Sequence, residues 1–146
     1  MQPQAEYRTA PDLVPVRIAC IPSYWEEAWP LLEPAAARSG LHTKESVLAA
    51  LMTGAWQLWV VEDDRMLLAV TTEIAEYPAR SIASVELLGG ERFDECLRLF
   101  PIIEAWAKEC GCDRFVIHGR IGFAKKLKKY GYTLESVALV KDFHDA

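Results

Sequence analysis

The sequence lacks any apolar run long enough to cross a membrane. Its longest stretch without a charged residue is 16 residues, Ser46 to Val61, and Thr53, Gly54 and Gln57 interrupt it. A membrane-spanning helix needs about 18 or more apolar residues. The first residues, MQPQAEYRTAPD, are polar and contain no apolar segment typical of a secretory signal. These absences predict a cytoplasmic protein that binds no membrane.

Cysteine is scarce, and its spacing fits neither a disulfide framework nor a metal site. The Cys110-Gly111-Cys112 triplet is one residue shorter than a C-x-x-C redox pair, and no second pair of ligands completes a zinc site. We therefore expect reduced thiols and no bound metal. The four cysteines are Cys20, Cys96, Cys110 and Cys112.

An excess of positive charge is also lacking, which argues against a nucleic-acid-binding protein. The net charge is −5, yet Arg114 to Lys129 contains six Lys or Arg and no acid. That leaves ten positive and 21 negative charges, a net charge of −11, for the rest of the chain. A basic helix with an apolar stripe is most often a solvated surface helix, and this stretch has no exposed aromatic set for stacking bases. We expect no binding of nucleic acid.

What is present is the pattern of one domain of 146 residues. We interpret residues 1–12 as a tail and 13–146 as a single domain. Ser23 and Glu26 form a capping-box pattern that predicts a helix start, and Pro30 and Pro34 predict a kink or break before Gly40. Hydrophobic periodicity gives the order β-α-α-β-β-β-α-β-α-β. The strands are predicted at 13–21, 55–62, 66–77, 81–88, 114–119 and 133–143, and the helices at 23–40, 43–52, 93–109 and 123–130.

This order predicts an α/β protein of the α+β type, with a mixed sheet. The short connections after residues 62 and 77 indicate an antiparallel meander. The long helix over 93–109 must cross between 81–88 and 114–119, because parallel strands need such a connection. We expect this parallel pair to splay apart toward Gly89 and Gly119 and to leave a cleft.

The order and several short motifs resemble the GCN5-related N-acetyltransferase (GNAT) family over nearly the whole chain. The motifs are LWVVEDD, TTEIAEYP, ELLGG, EAWAKECGC and HGRIGFAKKLKKYGY, in which Gly131-Tyr132 takes the place of the family's Gly-Phe-like pair. The combination is closest to small GNAT-like proteins carried by phages and prophages. The resemblance implies the acyl-CoA N-acyltransferase fold, acetyl-CoA as cofactor, and a small-molecule or protein amine as acceptor. Association into a homo-oligomer is a further expectation.

For the cofactor, the resemblance implies a pyrophosphate site after the third meander strand, where backbone N–H groups meet a helix start. The family pattern Gln/Arg-x-x-Gly-x-Gly/Ala is replaced here by LLGGERFDE. Gly89 and Gly90 supply flexibility, and they are equally well explained as a simple turn. The candidate cofactor-binding residues are Leu88, Gly89, Gly90, Arg92 and Arg120.

For catalysis, Glu86 is the best-placed candidate general base and Glu73 the second, although a carboxylate on a solvated sheet face is the more common explanation for each. The family's general acid, a tyrosine, falls on Leu127, which cannot donate a proton. Tyr130 is nearby and is the remaining candidate, although its place on an apolar stripe is typical of a core residue. His118 belongs either to the site or to a loop hydrogen bond.

Two functions stay open at this point. One is an N-acetyltransferase that moves an acetyl group from acetyl-CoA to a primary amine. The other is a catalytically inactive GNAT-like binding or structural module associated with a phage or prophage. The basic stretch is either a solvated surface or a contact for the phosphate end of the cofactor. Glu86 and Arg120 favour the first function, and the missing glycine pattern and tyrosine favour the second.

Overall fold

Five strands form one mixed sheet in the computed structural model, which describes residues 11–144. Their spatial order is the same as their order along the chain. Neighbours pair antiparallel, except that the fourth and fifth strands are parallel, as predicted from the long crossover. The strands are β1 (Leu13–Val16), β2 (Trp56–Glu62), β3 (Met66–Glu76), β4 (Ser81–Gly90) and β5 (Arg114–Ile117).

Helices cover both faces of this sheet. The helix predicted over 93–109 is divided in two by a 3₁₀ turn, and Pro101 lies in the first turn of the second part, where it costs no backbone hydrogen bond. The helices are α1 (Ile21–Ser39), α2 (Lys44–Met52), α3 (Phe93–Cys96), α4 (Phe100–Glu109) and α5 (Phe123–Leu127). Short 3₁₀ turns occupy Ile18–Cys20, Leu97–Leu99 and Lys128–Tyr130.

Helix α1 is continuous through both internal prolines, so the predicted break is wrong. Pro30 and Pro34 are both exposed, one turn apart on the outer face. Carbonyls that lose their N–H partner there face water, whereas the inner face of α1 is held by burial. The predicted capping box is also wrong, because the hydroxyl of Ser23 donates to the carbonyl of Cys20 inside the first turn. The helix ends at Gly40, as predicted, in the left-handed conformation.

Helix α2 begins as its sequence predicts. The side chain of Thr43 accepts from the N–H of Ser46, and the side chain of Ser46 accepts from the N–H of Thr43. This reciprocal cap satisfies two N–H groups that the helix itself leaves unpaired. It fixes the turn that joins α1 to α2.

Two apolar cores lie on opposite faces of the sheet. Helices α1 and α2 bury Trp25, Leu32 and Leu51 against one face. Phe100 and Ile103 of α4 lie in the core on the other face. Because both faces are covered, β2 and β3 are buried along most of their length, and β4 is buried at half of its residues. The sheet is therefore a rigid platform for side chains at its ends.

The predicted last strand is wrong. Residues 132–142 have no regular secondary structure, and most of their side chains are exposed. The strand-like composition predicted pairing, but strand formation also needs a partner edge and a cover for the apolar side chains. Of the tail predicted over 1–12, residues 1–10 lie outside the described part. None of the helices within residues 11–144 is long and apolar enough to cross a membrane.

Candidate active site

An opening between β4 and β5 contains a cavity of ≈ 280 Å³. The parallel pairing of the two strands ends at Val85 and Ile117, and the N–H of His118 still donates to the carbonyl of Val85 at 3.3 Å. Beyond that point β4 continues to Gly90 without β5 beside it. The expected splaying of this pair is therefore confirmed. The cavity is lined by Ala35, Arg38, Ser39, Glu86, Leu88, His118, Gly119, Arg120 and Phe123.

A β-bulge places Glu86 in this opening. Thr71 of β3 pairs with Leu87 and the next residue, Thr72, pairs with Val85, so Glu86 has no partner across the strands. The hydroxyl of Thr71 accepts the N–H of Leu87 at 3.0 Å, which stabilises the irregular backbone. Bulges of this kind redirect one side chain out of the regular alternation. The carboxylate of Glu86 thereby lines the cavity with Leu88.

The surroundings of Glu86 favour its protonated form. Partial burial raises the pKa of its carboxyl group above the ordinary value of 4.5. The positive charge of His118 opposes this shift most strongly, the negative charge of Glu73 adds to it, and His42 opposes it. A carboxylate with a raised pKa in a cavity is suited to accept a proton near neutral pH.

Glu73, the second candidate base, lies outside the cavity lining, and its carboxylate accepts a hydrogen bond from a tryptophan. The indole Nε1 of Trp56 donates to Oε2 of Glu73 at 2.6 Å, and the imidazole of His42 meets the ring of Trp56 edge-on at 4.8 Å between centroids. This trio lies close enough to Glu86 for the charges of Glu73 and His42 to act on its pKa. Glu73 is thus a neighbour of Glu86 rather than a second lining carboxylate.

Two arginines give the cavity positive charge. Arg120, expected as a cofactor ligand, lines it from the segment after β5, and Arg38 lines it from the last turn of α1. Guanidinium groups bind phosphate and carboxylate through paired hydrogen bonds. Sequence reasoning missed Arg38, because only the packing of α1 across β4 brings it to the opening. The sole signal in the sequence was its position just before the helix end at Gly40.

The two glycines expected to approach a phosphate are explained by packing. A Cβ atom on Gly89 would overlap the carbonyl oxygen of Leu31 in α1. Gly90 has φ +151°, and a Cβ atom there would overlap the carbonyl oxygen of Leu67 in β3. The close contact of α1 with β4 therefore requires a residue without a side chain at position 89.

The start of α3 also differs from the expected anion site. Arg92 adopts a left-handed conformation with φ 54° just before this four-residue helix. The carboxylate of Asp94 in the first turn of this helix forms an ion pair with the ammonium group of Lys126 at 3.0 Å. The carboxylate of Glu91 forms an ion pair with Arg65. Arg92, Gly89 and Gly90 lie outside the cavity lining.

The last helix contributes packing rather than a proton donor. Leu127, at the place of the family's tyrosine, is buried in the core beneath α4. Tyr130 is half-buried against the same core, with the ammonium group of Lys129 5.4 Å from its ring centroid, and lies outside the cavity lining. The ammonium group of Lys126 stands 5.6 Å from the ring centroid of Phe93.

Comparison with solved structures shows the fold. A GCN5-related N-acetyltransferase from Ralstonia eutropha superposes with a TM-score of 0.67 at 15% identity, over 92% of this chain and 99% of that one. A ribosomal-protein-alanine N-acetyltransferase from Brucella melitensis gives 0.67 at 14%, over 92% and 100%. A predicted acetyltransferase from Clostridium acetobutylicum, solved with acetyl-CoA, gives 0.65 at 10%, over 90% and 96%. No protein-family model and no curated protein sequence matches this chain. The protein thus has the GNAT acyltransferase fold predicted from its sequence.

Proposed function

We propose that the protein is an acetyl-CoA-dependent N-acetyltransferase that acts on a primary amine. The observation that carries the proposal is the bulge-directed carboxylate of Glu86, with its raised pKa, inside the opening between β4 and β5. The fold likeness to acetyltransferases, one of them solved with acetyl-CoA, supports the same reading.

The cavity fits part of this cofactor. Pockets for small molecules have volumes of about 300–1,000 Å³, so ≈ 280 Å³ suits the acetylated thiol arm rather than the whole molecule. Leu88 and Phe123 would contact the apolar part of that arm, and Arg38 and Arg120 would pair with its phosphates. Bound acetyl-CoA would supply the acetyl group as an activated thioester.

Glu86 would act as the general base. Its carboxylate would remove a proton from the acceptor ammonium, directly or through water, and so leave a neutral amine as the nucleophile. A backbone N–H near Leu88 would stabilise the negative charge that develops on the carbonyl oxygen of the acetyl group. The N–H of Leu87 is not available for this, because it already donates to the hydroxyl of Thr71. Leu127 offers no proton to the departing thiolate, so water would supply it. We expect a slow enzyme, because general acid help is typically worth about 10²- to 10⁴-fold.

Titration calorimetry with acetyl-CoA tests the proposal directly. The wild-type protein should bind the cofactor, and Arg120→Ala should bind it about 10- to 100-fold more weakly, as expected for a lost charge-assisted pairing. Arg80→Ala, an exposed arginine in the β3–β4 turn, is the matched control and should bind like the wild type. Acetylation of a panel of primary amines then tests turnover.

Two outcomes would contradict the proposal. Tight binding that Arg120→Ala leaves unchanged would refute the phosphate contact. No binding at millimolar acetyl-CoA would refute the proposed enzymatic activity and favour the catalytically inactive module. The buried Leu127 and the packing role of Gly89 are consistent with that alternative. The association with a phage or prophage stays a prediction.

A further inference from the structure

Two fully buried threonines, Thr71 and Thr72, follow the apolar first half of β3. A buried hydroxyl destabilises a fold unless it is hydrogen-bonded, and these two hydroxyls bond in different directions. The hydroxyl of Thr72 accepts from the indole Nε1 of Trp59 at 3.0 Å and donates to the side-chain oxygen of Gln57 at 2.9 Å. It therefore ties β3 to β2, whereas the hydroxyl of Thr71 ties β3 to the bulge in β4.

The N–H of Leu87 depends on Thr71 for its hydrogen bond. Leu87 is buried, and its N–H donates to the hydroxyl of Thr71 at 3.0 Å. A bulge interrupts the ladder, so the backbone carbonyl that a regular pair would supply is missing there. On the other side of β4 the pairing with β5 has already ended, at Val85 and Ile117. A side-chain hydroxyl thus takes the place of a backbone acceptor.

The bulge itself is required by the packing beyond it. Without an extra residue, every later residue of β4 would move to the other face of the sheet. Leu88 would then lie opposite Ala69, where Gly89 lies now. Even a Cβ atom at that place overlaps the carbonyl oxygen of Leu31. The strand must therefore contain an extra residue before Leu88.

The choice of Glu86 as that extra residue depends on what holds its two neighbours. Val85 is held from both sides, because it pairs with Thr72 of β3 and with Ile117 of β5. Leu87 has only β3 beside it. Its bond to the hydroxyl on β3 fixes the backbone on the open side, where the carboxylate of Glu86 lines the cavity.

We propose that Thr71 is a positioning residue for the proposed reaction: its hydroxyl holds the N–H of Leu87 and thereby directs the carboxylate of Glu86 into the cavity. The role rests on the proposed function of Glu86 as general base. Without the hydroxyl, a buried N–H would have no acceptor, and the backbone at 86 and 87 would turn to find one. That turn would carry the carboxylate away from the acceptor amine.

Carbon-13 NMR of the glutamate carboxyl groups tests this direction without any turnover. In the wild type the pKa of Glu86 should lie above 4.5, and in Thr71→Val the pKa should move down toward 4.5, because the carboxylate leaves its half-buried position. Thr71→Ser keeps the hydroxyl and should keep the wild-type pKa. The other charged and titratable groups around Glu86 are the same in all variants: His118, Glu73, His42, Arg38 and Arg120. A changed pKa therefore reports a displaced carboxylate.

Thr72→Val is the matched control. It removes an equally buried hydroxyl from the next residue of the same strand, and with it the bonds to Trp59 and Gln57. Its Tm should fall as that of Thr71→Val does, whereas the pKa of Glu86 should stay at the wild-type value. The comparison separates the direction of Glu86 from a general loss of stability.

Steady-state kinetics test the consequence for the reaction. Thr71→Val should lower kcat by about 10- to 100-fold, since a misplaced catalytic group costs about that much, and should leave the KM for acetyl-CoA nearly unchanged. Thr71→Ser should restore kcat. A wild type without turnover would refute the proposed function, and the NMR titration would still decide whether Thr71 directs Glu86.

Two results of the titration would overturn the role of Thr71. One is a wild-type pKa of Glu86 in Thr71→Val, and the other is an equal change in Thr72→Val. Hydrogen exchange supplies a test that needs no variant, because the amide of Leu87 should exchange as slowly as the paired amides of β3. Rapid exchange at Leu87 would show that the bond from its N–H to Thr71 does not hold the bulge.

Discussion

At the scale of single residues, the candidate chemistry depends on Glu86. Its carboxyl group is displaced from the sheet alternation by a bulge that the hydroxyl of Thr71 holds. Half-buried beside His118, it has a raised pKa, mainly because burial disfavours the charged form. The burial that disfavours the charged carboxylate is also what suits it to the proposed role of general base.

Changing Glu86 to Gln should reduce turnover without removing cofactor binding. The amide cannot accept the proton of the acceptor amine, so kcat should fall by about 10²- to 10⁴-fold while the Kd for acetyl-CoA stays close to that of the wild type. In the wild type, kcat/KM should fall with decreasing pH along a limb centred above pH 4.5, because only the ionised carboxylate is active. Steady-state assays and calorimetry on both proteins check this. Equal turnover would exclude Glu86 as the base.

The same substitution should stabilise the fold at alkaline pH. A folded-state pKa above the unfolded one means that the folded protein favours the proton, so stability present at low pH is lost as pH rises through the folded pKa. Glu86→Gln removes the charge, and its Tm should exceed that of the wild type at pH 8 and approach it at pH 4. Glu33→Gln, an exposed residue of α1, is the control. A Tm difference that grows toward low pH would contradict the assignment.

At the scale of elements, the contact between α1 and β4 decides the shape of the opening. Helix α1 carries Arg38 and Ala35 to the cavity, and it can do so because Gly89 has no side chain beneath the carbonyl of Leu31. Gly89, expected from the resemblance to contact a phosphate, is also a position that close packing requires to be glycine. Its effect on the site acts through the helix that it supports.

Replacing Gly89 with Ala should displace α1 from the sheet. The added Cβ overlaps backbone that cannot rotate away, so we expect a loss of about 1–3 kcal/mol in the free energy of unfolding, and weaker acetyl-CoA binding as Arg38 moves. Gly122→Ala is the matched control, since its backbone is already helical and open space surrounds it. Urea denaturation of the three proteins measures the difference. An unchanged midpoint for Gly89→Ala would refute the close packing.

At the scale of the whole molecule, the charge distribution bears on the choice of partner. The basic stretch from Arg114 to Lys129 belongs to a chain of net charge −5, and two of its charges are already paired, Arg114 with Glu135 and Lys126 with Asp94. Electrostatic repulsion between the acidic remainder of the protein and the phosphates of nucleic acid opposes their association. Salt weakens the attraction that the basic stretch provides.

We therefore predict no tight binding of DNA or RNA near physiological salt. Mobility-shift assays at about 150 mM salt should show no complex at micromolar protein, for the wild type and for a variant with glutamate at 125, 126, 128 and 129 alike. A complex that the wild type forms at this salt concentration, and that the variant with the four glutamates does not form, would overturn the prediction.

Much of the fold was determined by sequence patterns with short-range causes. The cap at Thr43, the end of α1 at Gly40, the meander of β2 to β4 and the parallel pairing of β4 with β5 all follow from local hydrogen bonding, periodicity or the length of a crossover. Glu86, a candidate from its strand position, and Leu88 and Arg120, candidates from the family resemblance, line one cavity where that parallel pair ends.

Tertiary structure alone decided the rest, because it depends on what packs against each element. Proline rules predicted a break in α1, but burial of one face holds the helix together and leaves both prolines on the wet side. Residues 133–143 have the composition of a strand, yet they are irregular and mostly exposed, because composition alone does not determine whether a segment pairs with a neighbouring strand. Arg38 lines the cavity only because α1 crosses β4 at a glycine, and no pattern along the chain encodes that contact.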